Sequence, residues 1–289
     1  MPSATTHALF AKELLERLPE LRKSIDRPEL FYIGTQGPDV MFFSRYSFLP
    51  GSLHWLGGKM HREKTKELLF FLKDYTDRHP LLKSYYYGFI AHYALDSVSH
   101  PLIIWASQEE EERYGRSHNQ VHYRNEGDID LWALKHAGLT IHDYDVHRLT
   151  KLNKEEAEAL ADLLMAAAST VYGDTITRKD TLEAIDGVSR ISRLIRPGSE
   201  LRYRIVFYAE KLMKWPHNIS GMMIMHKHDH GLIVFNEDHT EYSPPGRPGE
   251  RDSRSFEEVY ADALDFGERI IIDLKPEHIH YDFDGNAIQ

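Results

Sequence analysis

GFIAHYALDSVSHPL, residues 88–102, is the stretch around which the rest of the chain is organised. Its apolar residues have helical spacing, and a helix aligns His92, Asp96 and His100 along one stripe. Burying a carboxylate and two imidazoles without partners costs roughly several kcal/mol, so other groups must compensate them. Since Pro101 disfavours helical geometry at the preceding residue, we expect the helix to end or kink at His100. By itself the stripe fits a metal site and a buried hydrogen-bonded network equally well.

The composition is typical of a soluble globular protein. Hydrophobic residues make up 42% of the 289 residues and charged residues 28%. No run approaches the roughly 20 apolar residues of a membrane span, and the start, MPSATTHALFAKELLERL, has no secretion signal. We therefore expect a cytoplasmic protein without stable membrane attachment. A net charge of -10 disfavours duplex nucleic acid as a partner.

Histidine and carboxylate side chains are the metal ligands that this chain offers. It has no cysteine, which excludes disulfides, thiolate catalysis and cysteine zinc sites. It has 18 histidines, and several of them occur with helical spacing to carboxylates. A metal site in this protein must therefore use His, Asp and Glu.

Helical periodicity recurs along most of the chain and predicts an all-α fold. Besides the central stretch, helices are predicted at 6–18, 20–25, 59–78, 117–137, 154–171, 178–194, 200–214 and 256–274. A small hairpin is expected around GLIVFNEDHTEY, residues 231–242, and the terminal YDFDGNAIQ shows a DG turn without a chemical motif. Because no polar linker divides the helices, we expect one multi-helix bundle rather than two domains.

The candidate metal ligands are, in chain order, His7, Asp39, His61, His92, Asp96, His100, His122 and Glu126. They lie on the first helix, in a GPD turn, at a helix start, on the central helix and on the helix predicted at 117–137. His122 and Glu126 are four residues apart, so both can bind one ion from adjacent helical turns. His118 precedes His122 by four residues and remains an alternative ligand, but it lacks the four-residue step to Glu126.

This ordered set resembles the zinc-dependent phospholipase C family. The similarity is carried by ALFAKELL after His7, GPDV at 37–40, the central stretch and HYRNEGDID at 122–130, and so spans about the first half of the chain. More distantly, the set is similar to zinc nucleases that cleave single-stranded nucleic acid. The resemblance implies a mainly helical bundle in one domain, residues 1–289, with the metal ligands in residues 1–137 and a helical scaffold in residues 138–289.

The resemblance also implies zinc as the cofactor, with two or three ions. It groups Asp39, His61, His92 and Asp96 around one ion, with Asp96 bridging to a second ion on His7, and His100, His122 and Glu126 around a third. The implied enzyme hydrolyses a phosphoester, in a small molecule or a lipid, by in-line attack of a zinc-bound hydroxide on phosphorus. Asp39 is expected to be both a metal ligand and the catalytic base.

The N-terminus departs from the family. Secreted members begin with a Trp whose amino group and carbonyl bind a metal, whereas this chain begins MPSATTH. Either the Pro2 amine or water would then complete the shell of the ion on His7. Two alternative functions remain. One is a metal-binding protein of the same fold with a regulatory role and little catalysis. The other is a single-strand nuclease, which is disfavoured because the sequence shows no clear pattern of basic and aromatic residues for a groove that binds single strands. The oligomeric state is left open by the sequence.

Overall fold

A long helix, Lys83–Tyr114, runs through the centre of the structure and carries the stretch at 88–102. The computed structural model describes residues 4–45, 49–115, 118–143, 145–195, 200–213, 220, 223 and 232–288. Within these ranges the regular secondary structure is helical, and strand pairing is limited to two isolated antiparallel bridges, Tyr242–Asp252 and Tyr281–Ala287. The predicted all-α fold is confirmed.

The helices follow one another along the whole described chain. They are α1 (Ala4–Arg17), α2 (Pro19–Ser24), α3 (Pro28–Gly34), α4 (His54–Arg62), α5 (Thr65–Arg78), α6 (Lys83–Tyr114), α7 (His118–His136), α8 (Val146–Leu149), α9 (Lys154–Ala167), α10 (Arg178–Ile195), α11 (Glu200–Leu212) and α12 (Phe256–Ile272). Short 3-10 turns occupy Gly37–Phe43, Pro80–Leu82, Ile233–Phe235 and Pro276–His278, and a π-helical turn, Ala168–Tyr172, extends α9. None of the described helices is long and apolar enough to cross a membrane.

Helix α6 is buried along most of its length because other helices pack around it. Its most extensive contacts are with α3 and α12. Helix α1 reaches it at Asp96, and α7 reaches it at His100. One cluster of buried hydrophobic side chains extends from Phe10 to Phe283 around it. Both ends of the chain therefore help to bury the polar stripe.

Helix α6 passes through Pro101 without ending, so a helix end at His100 is excluded. Proline has no N–H, and Ser97 O, four residues earlier, therefore loses its helical donor. The Nη2 of Arg247 donates to this oxygen instead, at 2.8 Å. The helix ends at Gly115, which has φ of 62° and whose N–H donates to Glu111 O at 2.8 Å.

The helix predicted at 59–78 is two helices, α4 and α5. They are separated where Lys64 adopts φ of 54°, in the left-handed region. Gly57 and Gly58, which locally favour a break, lie inside α4. A Cβ at Gly57 would lie 2.9 Å from Phe42, so glycine is needed there for packing rather than for a turn. His61 consequently occupies the last turn of α4, not the first turn of a helix.

The described part of the expected hairpin, residues 232–242, contains a 3-10 turn and one bridge instead of paired strands. Asn236 turns the chain with φ of 42°. Its Nδ2 donates to the carbonyls of Thr240, Ser253 and Arg254, each at 3.1 Å. These carbonyls are therefore satisfied by a side chain, without a ladder between strands.

The crossing of α3 and α6 depends on two glycines and yields a stability prediction. A Cβ at Gly88 would lie 2.1 Å from Phe31 O, and one at Gly34 would lie 2.3 Å from Tyr85 O. Gly88→Ala should lower the free energy of unfolding by about 1–3 kcal/mol, because helix backbone must move. Gly58 has no atom within 4 Å of a built Cβ. Gly58→Ala should therefore be neutral or stabilising by up to about 1 kcal/mol.

Chemical denaturation of both glycine variants measures this difference. Equal free energies of unfolding would contradict the close contact of the two helices.

Candidate metal centre

Three of the predicted ligands project from one face of α6 into the protein interior. His92, Asp96 and His100 are 0%, 2% and 6% exposed. Asp96 Oδ2 lies 2.9 Å from His92 Nε2 and 3.6 Å from His100 Nδ1. The carboxylate therefore lies between two imidazoles, as the four-residue spacing predicts.

His7 reaches this face from α1. Its Nε2 lies 3.1 Å from Asp96 Oδ1. Its ring stacks on that of His92, with centroids 4.2 Å apart and planes inclined at 25°. His7, His92 and Asp96 each offer an atom within 4.8 Å of the others, and so form a first group that can hold one metal ion.

The GPD turn and α4 bring Asp39 and His61 to the other side of His92. His61 Nε2 lies 3.2 Å from Asp39 Oδ1 and 3.9 Å from Asp96 Oδ2. The turn needs Gly37, which has φ of 49°, because a Cβ there would lie 2.2 Å from Cδ2 of His92. Asp39, His61 and His92 form a second group within the same 4.8 Å limit, and His92 is common to both.

His100, His122 and Glu126 form a third group, between α6 and α7. His122 Nε2 lies 2.9 Å from Glu126 Oε1, and the His100 and His122 rings stack with centroids 6.0 Å apart. His118 begins α7, but its side chain lies outside the described part of the structure, so the choice between His118 and His122 stays a prediction. Every predicted ligand thus lies in one of the three groups.

Backbone carbonyls orient three of the imidazoles. His61 Nδ1 donates to Gly57 O at 2.7 Å, and His92 Nδ1 donates to Thr35 O at 3.0 Å. His100 Nδ1 is bonded in the same way, to a carbonyl near the C-terminus. A carbonyl can only accept, so Nδ1 carries the proton in each ring and Nε2 is the nitrogen available to a metal.

Several buried polar atoms of the centre have no hydrogen-bond partner within the described residues. They are His7 Nδ1, His92 Nε2, Asp96 Oδ2 and both carboxylate oxygens of Glu126. A hydrogen-bonded network, the alternative interpretation of the stripe, would satisfy such atoms. A divalent cation satisfies imidazole nitrogens and carboxylate oxygens together, and zinc binds this donor set. The residues present therefore fit zinc better than a network of protein hydrogen bonds.

The carboxylates and the His92 imidazole already carry the charges that suit metal binding, whereas His100 and His61 have raised pKa values, because neighbouring carboxylates outweigh the opposing effect of burial, and would have to lose a proton. Burial opposes ionisation of Asp96, but the surrounding histidines hold its pKa well below the usual range. Burial likewise opposes ionisation of Glu126, yet His122 and His100 lower its pKa to about 2. Burial lowers the pKa of His92, so this ring is neutral at pH 7. Ionised carboxylates and neutral imidazoles are the forms that bind a metal.

Asp130, four residues after Glu126 on α7, holds the start of α1 in place. Its Oδ1 accepts hydrogen bonds from the backbone N and the Oγ1 of Thr6, both at 2.7 Å. Thr6 directly precedes His7, so this carboxylate fixes the backbone from which His7 projects. Burial raises the pKa of Asp130 to about 7, against the lowering effect of the Thr6 bonds.

The C-terminal segment contributes to the centre, which the sequence did not indicate. Phe283 O accepts the hydrogen bond from His100 Nδ1 at 2.9 Å. The DG turn of YDFDGNAIQ is the only signal at this place, and it predicts a bend without a function. A backbone carbonyl has no residue type of its own, so no sequence pattern could have shown its role.

The comparison with protein families agrees with this geometry. The model of the family described as zinc dependent phospholipase C matches residues 6–174, more than half of the chain. The chain belongs to this family. At this level it is a zinc-dependent phosphoesterase, and the match contains every candidate ligand. Searches of curated proteins and of solved structures gave no match.

His61 and Asp39 form an ion pair in the metal-free protein, which predicts a pH dependence. Burial opposes protonation of His61, but Asp39, with Asp96 and Asp284, raises its pKa to about 9. The contribution of the pair to stability is therefore fully present below the ordinary pKa of 6.5 and is lost as the pH rises through about 9. Zinc must displace this proton, so its apparent affinity should increase over the same range.

Histidine NMR of the metal-free protein measures the pKa of His61. Asp39→Asn should lower it, because the substitution removes the charge and leaves burial. Asp265→Asn, which removes a surface partner of Arg17, is the control and should leave it unchanged. A wild-type pKa below 6.5 would contradict the ion pair.

Proposed function

We propose that this chain is a phosphoester hydrolase of the phospholipase C type whose zinc ions are held by the three groups. The ligands would be His7, Asp39, His61, His92, Asp96, His100, His122 and Glu126. The observation that carries the proposal is the overlap of the groups: His92 belongs to two of them, and Asp96 lies near both His7 and His61. Shared ligands hold ions close to one another, as cleavage of a phosphoester by several ions requires.

The residues of the centre have separate tasks in this reaction. Bound zinc supplies an activated water for in-line attack on phosphorus and neutralises charge on the phosphate and the leaving oxygen. Asp39 would accept the proton of the attacking water at its carboxylate, in addition to binding a metal. The carbonyls of Gly57 and Thr35 keep Nδ1 protonated in His61 and His92, so that Nε2 would be the nitrogen that binds zinc.

Asp96→Asn tests the shared ligand. An amide has the same shape as a carboxylate but no charge, and it binds zinc poorly. The variant should lose zinc from the groups that adjoin Asp96 and lose nearly all hydrolytic activity. Elemental analysis of the purified protein, beside an assay of phosphoester hydrolysis, measures both effects.

Glu110→Gln is a matched control for this variant. Glu110 is another buried carboxylate of α6 and pairs with Arg124 at 2.7 Å, outside the three groups. The Glu110→Gln variant should keep its zinc even if its free energy of unfolding is lower. Full zinc content in Asp96→Asn would contradict the assignment of Asp96 as a ligand.

The substrate class is tested with a panel of phosphoesters. We expect hydrolysis of phosphocholine esters or of simple mono- and diesters, loss of activity with a chelator and recovery with zinc. Single-stranded DNA should be a poor substrate, because a net charge of -10 repels a polyanion. Zinc-loaded protein without turnover on any substrate would favour a regulatory metal-binding role. Faster cleavage of DNA than of the small esters would favour a nuclease.

A further inference from the structure

The C-terminal loop, residues 281–287, lies against the metal centre although the family model matches only residues 6–174. Phe283 O accepts from His100 Nδ1 at 2.9 Å, and Phe283 N donates to His61 O at 3.0 Å. The Phe283 ring is fully buried, with its centroid 5.6 Å from that of His61 and 5.9 Å from that of His92. One residue of this loop therefore contacts three of the proposed ligands.

The C-terminal loop has a defined shape of its own. Asp282 Oδ1 accepts from Asn286 N at 2.8 Å, and Asp282 N donates to Asn286 O at 2.9 Å. Gly285 has φ of 78°, a conformation that favours glycine. A Cβ at Gly285 would lie 2.5 Å from Cγ of Pro101. The loop is thus seated directly on the residue that follows His100.

Arg247 fastens the C-terminal loop to α6. Its Nε donates to Gly285 O at 2.7 Å, and its Nη2 donates to Ser97 O at 2.8 Å. Its guanidinium carbon lies 3.6 Å from the centroid of the Tyr281 ring, in cation-π contact. The side chain is only 8% exposed. A buried guanidinium is costly unless its donors are satisfied, so these bonds restrict it to one position.

The carbonyl of Ser97 on α6 is free to accept a hydrogen bond from Arg247 because of Pro101. Proline has no N–H to donate to Ser97 O, and Arg247 supplies the missing donor. Ser97 and His100 lie in the same helical turn, immediately before this proline. Arg247 therefore joins the C-terminal loop to the helical turn that carries His100.

We propose that Arg247 is a positioning residue of the metal centre. By holding the C-terminal loop on α6, it keeps Phe283 O on His100 Nδ1 and leaves His100 Nε2 to bind the ion shared with His122 and Glu126. The inference rests on the proposed function, since it takes this third group as a zinc site.

The contacts of Arg247 imply a selective effect. The rings of His61 and His92 are oriented by the carbonyls of Gly57 and Thr35, which do not belong to the C-terminal loop. Loss of Arg247 should therefore weaken binding of the ion at His100 more than binding of the others, whose ligands meet the loop only through Phe283. A role in stability alone would affect all three groups alike.

Arg247→Met in the full chain tests this, because methionine keeps an apolar stem and removes the donors. The affinity for one zinc ion should fall about 10–100-fold, while the affinities for the remaining ions should fall clearly less. Zinc titration against a competing chelator measures this. Nitrogen NMR of the metal-free protein, at a pH where the ring is neutral, should show His100 protonated at Nδ1 in the wild type and a mixture of tautomers in the variant. Arg247→Lys should recover part of both effects.

Arg254→Met is the matched control. Arg254 lies in the same segment, but it pairs with the carboxylates of Asp252 and Asp262. This control should keep every zinc affinity and the wild-type tautomer of His100. Unchanged affinities in Arg247→Met, or an equal loss of all ions, would overturn the proposal.

Two further outcomes are decisive. If Arg247→Met does not fold, Gly285→Ala replaces it as the test, because its Cβ displaces the C-terminal loop from Pro101. This variant must lower the affinity for the ion at His100, and an unchanged affinity would overturn the proposal. If the wild type binds no zinc, the proposed function fails, whereas the tautomer of His100 still decides whether Arg247 positions this ring.

Discussion

The architecture depends on how the negative charge of one buried carboxylate, that of Asp96, is balanced by neighbouring groups. It is 2% exposed in the middle of the central helix, where an ionised group is stable only among cations or hydrogen-bond donors. Imidazoles approach it from three helices: His7 on α1, His61 on α4, and His92 with His100 on α6 itself. The packing of α1 and α4 around α6 therefore also assembles the centre.

Imidazoles alone do not complete this compensation. Because His92 donates its Nδ1 proton to Thr35 O, the lone pair on its Nε2 faces Asp96 Oδ2 at 2.9 Å. Two lone pairs repel each other, and a cation held by both groups would replace this repulsion with attraction. The buried Phe283 ring lies beside His92, with ring centroids 5.9 Å apart, and an apolar neighbour strengthens electrostatic attraction at such a site. The same contacts that bury the centre would thus favour a bound cation.

Spacing made two of the side-chain pairs predictable, His92 with Asp96 and His122 with Glu126, whereas the resemblance to the family suggested the remaining candidate ligands. His92 and Asp96 are four residues apart on an apolar helix, and the GPD turn predicts Asp39 between apolar runs. The structure adds the reason for the glycine in this turn, which passes against the His92 ring. The position of His61 within its helix was not predictable. Gly57 locally favours a break, yet it lies inside α4 at a place where a Cβ would come within 2.9 Å of Phe42, a tertiary constraint that leaves no local signal.

The continuation of α6 through Pro101 and the roles of Arg247 and Phe283 depend on backbone atoms and on contacts between distant residues, which leave no local sequence pattern. Pro101 predicts that the helix ends or kinks at His100, and for an isolated helix this is the correct expectation. In the folded chain, a donor 150 residues away, on Arg247, satisfies the carbonyl that this proline leaves open. The matched family region, residues 6–174, contains His100 and Ser97 but neither Phe283 nor Arg247, which bond to them. The centre that the first half of the chain supplies with ligands is therefore oriented in part by residues near the C-terminus.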